Sequence, residues 1–116
     1  MPWQFRYCYE GGRKIVTPSA VVFLRAPLEL DGVRVGVVAS RKVGGAVKRN
    51  RARRLLRETA RSLVPRWQNH SIWVVFVARE SINRCSAREV REEIERALTQ
   101  NEVFDAAHTP TDRNRK

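Results

Sequence analysis

Apolar residues along this 116-residue chain follow two periodicities, one of strands and one of helices. Ser19 to Ala26, SAVVFLRA, and Val33 to Ala39, VRVGVVA, are rich in β-branched residues and predict strands. In the second, Val33, Val35, Val37 and Ala39 share one face. Pro27 and Asp31-Gly32 lie between the two and predict an antiparallel connection. Residues 13–17 add a short edge strand. Ile72 to Ala78, IWVVFVA, is almost continuously apolar, the pattern of a strand buried on both faces.

Three stretches carry helical spacing instead. From Ala46 to Val64, limited by Pro65, Ala52, Leu55, Leu56, Thr59, Ala60 and Leu63 fall on one arc. Asn50, Arg53, Arg54, Arg57 and Arg61 fall on the opposite arc. A last helix begins at Ser86 and Glu89, an S-x-x-E capping box. Its apolar stripe is Ala87, Val90, Ile94, Ala97 and Leu98, and Arg88, Glu92 and Arg96 ladder along the wet side. Residues 3–10 predict a short helix stopped by Gly11-Gly12, with Phe5 and Tyr9 on one face.

The element order is α-β-β-β-α-β-α. This is an α+β fold, a two-layer α-β sandwich with one parallel crossover between residues 33–39 and 72–78. Residues 1–104 form a single domain. Residues 105–116, DAAHTPTDRNRK, have no periodicity and are expected to form a flexible C-terminal tail.

Charge adds what periodicity cannot. Lys and Arg outnumber Asp and Glu by 23 to 12, a net +11. From Arg41 to Arg66 there are ten basic residues and a single acid, Glu58, so this segment carries +9 of that excess. A solvated helix face normally mixes signs. One face this basic points to a polyanion, above all a nucleic acid. Gly44-Gly45 lets backbone approach a phosphate just before a helix N-terminus, where free N–H groups favour anions. Arg41 and Lys42 precede that point, and Lys48, Arg49 and Arg51 occupy the first turns. Asn50 among them can donate and accept, toward RNA or a hydrated metal ion.

Other chemistries find little support. Cys8 and Cys85 lack metal-like spacing and read as free thiols in a reducing compartment. His70 and His108 have no companion ligands for zinc. No apolar run approaches the roughly 20 residues of a membrane span, and the start has no apolar core of a signal peptide. The cytoplasm is the expected location, with no membrane and no protein partner.

At residues 35–61, VGVVASRKVGGAVKRNRARRLLRETAR, the chain resembles the bacterial ribonuclease P protein subunit. The elements that carry the likeness are Gly36, Ser40-Arg41-Lys42, Val43-Gly44-Gly45-Ala46-Val47, Arg49-Asn50-Arg51, Arg53-Arg54 and Arg57-Glu58. Phe5, Tyr9 and Gly12 fit the family's earlier pattern, as do Phe23 and Arg79. Arg41 stands where Lys is commoner, and only MPWQ precedes Phe5, a shorter basic start than usual.

The resemblance implies a fold like the second domain of a small-subunit ribosomal protein, with a left-handed crossover where chain physics alone favours a right-handed one. It implies two partners, the catalytic ribonuclease P RNA and the 5′ leader of precursor tRNA. Toward the RNA it implies Arg41, Lys42, Lys48, Arg49, Asn50, Arg51, Arg53, Arg54, Arg57 and Arg61, with Gly44 and Gly45 as the loop of phosphate approach. Toward the leader it implies Phe5, Tyr9 and Phe23, whose faces stack on unpaired bases. Trp67, Trp73 and Phe76 are left as core or helix-packing residues. Mg²⁺ is expected, held mainly by the RNA, and no side chain of this chain is assigned as catalytic. The residues themselves leave three alternatives: a structural RNA-binding protein of ribosomal type, an autonomous metal-dependent nuclease, for which Glu10, Glu29, Asp31 and Glu58 show no recognised carboxylate spacing, and a DNA-binding basic helix.

Overall fold

The structure is a computed structural model that describes residues 3–29, 31–67 and 71–103. Its elements are α1 (Trp3–Gly11), β1 (Arg13–Val16), β2 (Ala20–Arg25), β3 (Val33–Val38), α2 (Ala46–Leu63), β4 (Ile72–Ala78) and α3 (Ala87–Gln100). Two 3-10 turns, Val64–Trp67 and Glu80–Arg84, follow α2 and β4. The first of them takes up Pro65, so α2 stops one residue short of the predicted Val64. The tail expected from Asp105 lies outside the described residues.

The four strands form one sheet in the order β1-β2-β4-β3. β4 pairs with β2 antiparallel and with β3 parallel, which is the expected crossover. The antiparallel connection joins β2 and β3 without direct pairing, because β4 lies between them. β2 and β3 do run in opposite directions, but the 72–78 strand is apolar on both faces and belongs in the interior of a sheet. Gly32, at φ 73°, turns the chain into β3, and its carbonyl accepts from Ile72 N–H at 3.0 Å.

The register sorts side chains onto two faces. Leu24, Val22, Val74, Phe76 and Ile72 turn toward α2 and α3 and are almost fully buried. All six residues of the anticipated apolar arc of α2 are buried there. Val90, Ile94 and Leu98 of α3 complete this core, whereas Ala87, the first residue of that helix, stays exposed. Trp67 seals one end and donates from Nε1 to the Val103 carbonyl at 3.4 Å. The opposite face of the sheet is only partly covered, and α1 lies across it.

Candidate nucleic-acid interface

Two surfaces meet the sequence expectations, and β3 joins them. The first is the basic helix with the loop that leads into it. The loop is braced from below: Asn83 donates to the Val43 carbonyl at 2.7 Å, and Val43 is buried. Gly44 adopts φ 140°, a region that disfavours side chains, and its N–H reaches the Arg41 carbonyl at 3.1 Å. Gly45 is the N-cap of α2, and no side chain caps that end. The first N–H groups of an 18-residue helix are thus left without a side-chain acceptor, with Arg41, Lys42 and Lys48 exposed around them.

The arginines of α2 divide by what they touch. Arg54, Arg57 and Arg61 are exposed, and none of the ion pairs among the described residues involves α2. Arg53 is half-buried; it donates to Asn50 Oδ1 at 3.0 Å and to the Ala39 carbonyl at 3.5 Å. Arg51 turns inward and donates to the carbonyls of Cys85 at 2.7 Å and Ile82 at 3.4 Å. Its guanidinium ties α2 to the second 3-10 turn and stands apart from the exposed basic arc. Arg49 is half-buried.

The second surface is a cleft between α1 and the uncovered sheet face. Phe5 and Tyr9 lie side by side on α1, ring centroids 6.5 Å apart, and Tyr9 meets Phe23 of β2 edge-on at 4.8 Å. The three aromatics expected together are therefore one cluster, each half-buried. Phe23, Val75 and Gly36 form one row across the sheet, and the next row is Val21, Val77 and Val38. Those three valines are half-buried and give the cleft an apolar floor. Lys14 pairs in register with Phe23 and puts a cation at the lip. The alternation of β2 could have placed Val21 beside Phe23. The contributions of Val38, Val77 and Lys14 required the register, which no local pattern reveals.

Gly36 has a packing reason. A Cβ there would stand 2.5 Å from the Phe5 ring, so only hydrogen lets that ring lie on the sheet. Arg25 fixes the helix: its guanidinium lies 3.8 Å over the Tyr7 ring and donates to the Tyr7 carbonyl at 2.9 Å, close to the helix C-terminus. Burial pushes the Cys8 thiol above its ordinary value although Arg25 pulls it down, so it is a packing residue and not a nucleophile. Cys8 and Cys85 are both free thiols. Burial, and then the neighbouring Cys8, also raise the Tyr9 phenol. Trp73 is half-buried and packs against Trp3 and Tyr7 of α1, while Trp67 and Phe76 are core. β3 carries the valine row at Val38 directly into Ser40-Arg41-Lys42, so cleft and basic loop are continuous.

Among the described residues no group of three or more His, Cys, Asp or Glu gathers where a metal could be held, and no helix is long and apolar enough to cross a membrane. The family model described as Ribonuclease P matches residues 1–102. The chain belongs to the ribonuclease P protein family. It is 37% identical over 103 residues to the ribonuclease P protein component of Symbiobacterium thermophilum, covering 89% of this chain and 84% of that one. It is 30% identical to that of Herpetosiphon aurantiacus, covering 98% and 91%. The component from Chloroflexus aurantiacus is 48% identical over 65 residues, a stretch that spans 56% of this chain but only 47% of that relative.

Solved ribonuclease P proteins share the architecture. The Staphylococcus aureus structure superposes with a TM-score of 0.76 at 25% identity, over 90% of this chain and 94% of that one. The Thermotoga maritima protein, in complex with 1-(4-fluorophenyl)-2-thiourea, gives 0.70 at 28% identity, over 84% and 92%. The mixed sheet with three helices is thus the fold of the ribonuclease P protein family.

Proposed function

We propose that this chain is the protein component of the endoribonuclease ribonuclease P, and that it assists a catalytic RNA in removing the 5′ leader of precursor tRNA. The observation that carries this reading is the uncompensated arginine face of α2, with its uncapped N-terminus, in a chain of this family. Arg54, Arg57 and Arg61, with Arg41, Lys42 and Lys48, neutralise phosphates of the RNA subunit, and the first N–H groups of α2 receive another. The cleft holds the leader single-stranded, its bases stacking on Phe5, Tyr9 and Phe23. Screening two polyanions at once raises the affinity of the RNA for its substrate and for Mg²⁺. In this reading the RNA subunit holds the Mg²⁺ and performs the hydrolysis, with water as the nucleophile. The cell location follows that of precursor tRNA, the bacterial cytoplasm.

The test is cleavage of a precursor tRNA at low Mg²⁺ by a bacterial ribonuclease P RNA, with and without this protein. Cutting at the mature 5′ end only in the combined reaction is the expected result. Tight salt-sensitive binding without rescue would favour a structural RNA-binding role. Cleavage by the protein alone would favour a protein nuclease. Tyr9→Ala is expected to weaken binding of long-leader substrates and to spare mature tRNA.

A further inference from the structure

α1 has a second flank, and the cleft does not use it. Beneath its first turn lies a cavity of about 320 Å³, lined by Trp3, Phe5, Cys8, Arg34, Gly36 and Trp73 among others. It opens beside β3, an edge strand of the sheet. Its volume lies at the lower end of small-ligand sites, which combine an apolar lining with a few placed polar groups. Trp3 and Trp73 supply the aromatic wall, ring centroids 5.3 Å apart, and Trp3 remains 57% exposed.

The polar wall is built as a unit. Asp31 accepts from Trp73 Nε1 at 3.0 Å and from Arg34 Nε and Nη2 at 3.1 Å each. One carboxylate thereby fixes the plane of an indole and the fork of a guanidinium. Gln4 adds an amide that can donate and accept. Arg34 keeps N–H groups beyond those given to Asp31, and its side chain is 68% exposed.

This cavity continues the cleft. Phe5 belongs to both: its ring covers Gly36, with Tyr9 on one side and the cavity on the other. Along the sheet, the Val21, Val77, Val38 row is followed by Phe23, Val75, Gly36 and then by Arg25, Trp73, Arg34. The last row lies about 13 Å from the first, four residues along a strand. A chain of unpaired nucleotides leaving the basic loop over the valine floor reaches the cavity after it passes Phe5.

We infer that the cavity under the first turn of α1 is a binding site for one unpaired nucleobase, stacked on Trp3 and Trp73 with Gln4 and Arg34 meeting its polar edge or adjoining phosphate. The inference rests on the RNA-binding reading above and extends it to a site on the opposite flank of the helix. Aromatic walls with a cation at the rim are how single strands are held without strict sequence demand. The ion pair with Asp31 limits how much phosphate Arg34 attracts, which favours a base over a bare anion in the cavity.

The test follows the indole N–H resonances of Trp3 and Trp73 in the full-length protein as a short single-stranded oligoribonucleotide is added. Affinities are measured in parallel for Trp3→Ala, Gln4→Ala and Tyr9→Ala. Gln4 lines the cavity from the exposed first turn of α1, so an alanine there takes away a polar contact and removes no stacking wall. The expected result is a shift of the Trp73 signal, about tenfold weaker binding for Trp3→Ala, the loss of roughly one stacked base, and severalfold weaker binding for Gln4→Ala. Binding that is weakened by Tyr9→Ala but untouched by the two cavity variants, with both indole signals unmoved, would overturn the cavity site and leave the cleft reading standing. No binding by the unaltered protein even at low salt would overturn both.

Discussion

α2 and α3 pack side by side against the same face of the same sheet, yet their outer sides are opposites. α3 caps its own start and pairs part of its outer side. Ser86 accepts from Glu89 N–H at 3.1 Å and Glu89 accepts from Ser86 N–H at 2.8 Å, a complete capping box. Arg88 pairs with Glu92, and Glu95 takes Arg66 from the turn after α2. α2 has no capping side chain, no acid in its first turn and an outer arc of arginines outside every ion pair among the described residues. Burial stabilises both, with six buried residues in α2 and three in α3. A helix secured by its inner face can leave its outer face electrostatically unfinished, and that unfinished face is what a polyanion completes.

The comparison can be broken at several points. The inner faces should prove alike: Leu56→Ala and Leu98→Ala each remove a side chain with no exposed surface and should cost about 2–5 kcal/mol in urea unfolding. The outer faces should not. Arg57→Glu should weaken binding to ribonuclease P RNA by more than about tenfold and flatten its salt dependence, while the melting temperature stays nearly constant. A large fall in melting temperature would mean that Arg57 is part of the scaffold.

Smaller effects sharpen the contrast. Ser86→Ala should cost about 1 kcal/mol of stability and leave RNA affinity unchanged. Bonds from the Ser86 backbone and side chain hold the Glu89 carboxyl below its ordinary value of 4.5. Its contribution is therefore complete above that value and fades as pH falls through the lower folded value, which an acid titration of helicity would follow. The smallest effect has two signs. Gly45 sits at φ −75°, and a Cβ there meets nothing within 4 Å, so Gly45→Asp can supply the missing cap. It should stabilise the fold by a few tenths of a kcal/mol and weaken RNA binding severalfold, because it fills with a carboxylate the place a phosphate would take.

Much of the scaffold was legible because it follows local rules. The 3.6-residue period placed every buried residue of α2, and S-x-x-E placed the start of α3. The charge count picked out the basic helix, but it did not separate Arg51, bound to two carbonyls of the second 3-10 turn, from the exposed Arg54, Arg57 and Arg61. Nor could it anticipate that Arg53 leans on Asn50 and Ala39. Helical phase gives the direction of a side chain and not what comes to meet it.

The sequence by itself determined the elements, the inner arcs of the helices and the sign of the partner's charge, since each depends on neighbours a few residues apart. Tertiary structure alone decided that β4 separates β2 from β3, that Phe5 lies on Gly36, that Tyr9 meets Phe23, and that Trp3, Trp73, Asp31 and Arg34 enclose one cavity. Those juxtapositions depend on strand order and register. Both are settled by how well whole faces bury against one another, a property of the assembled sheet that no local stretch of chain contains.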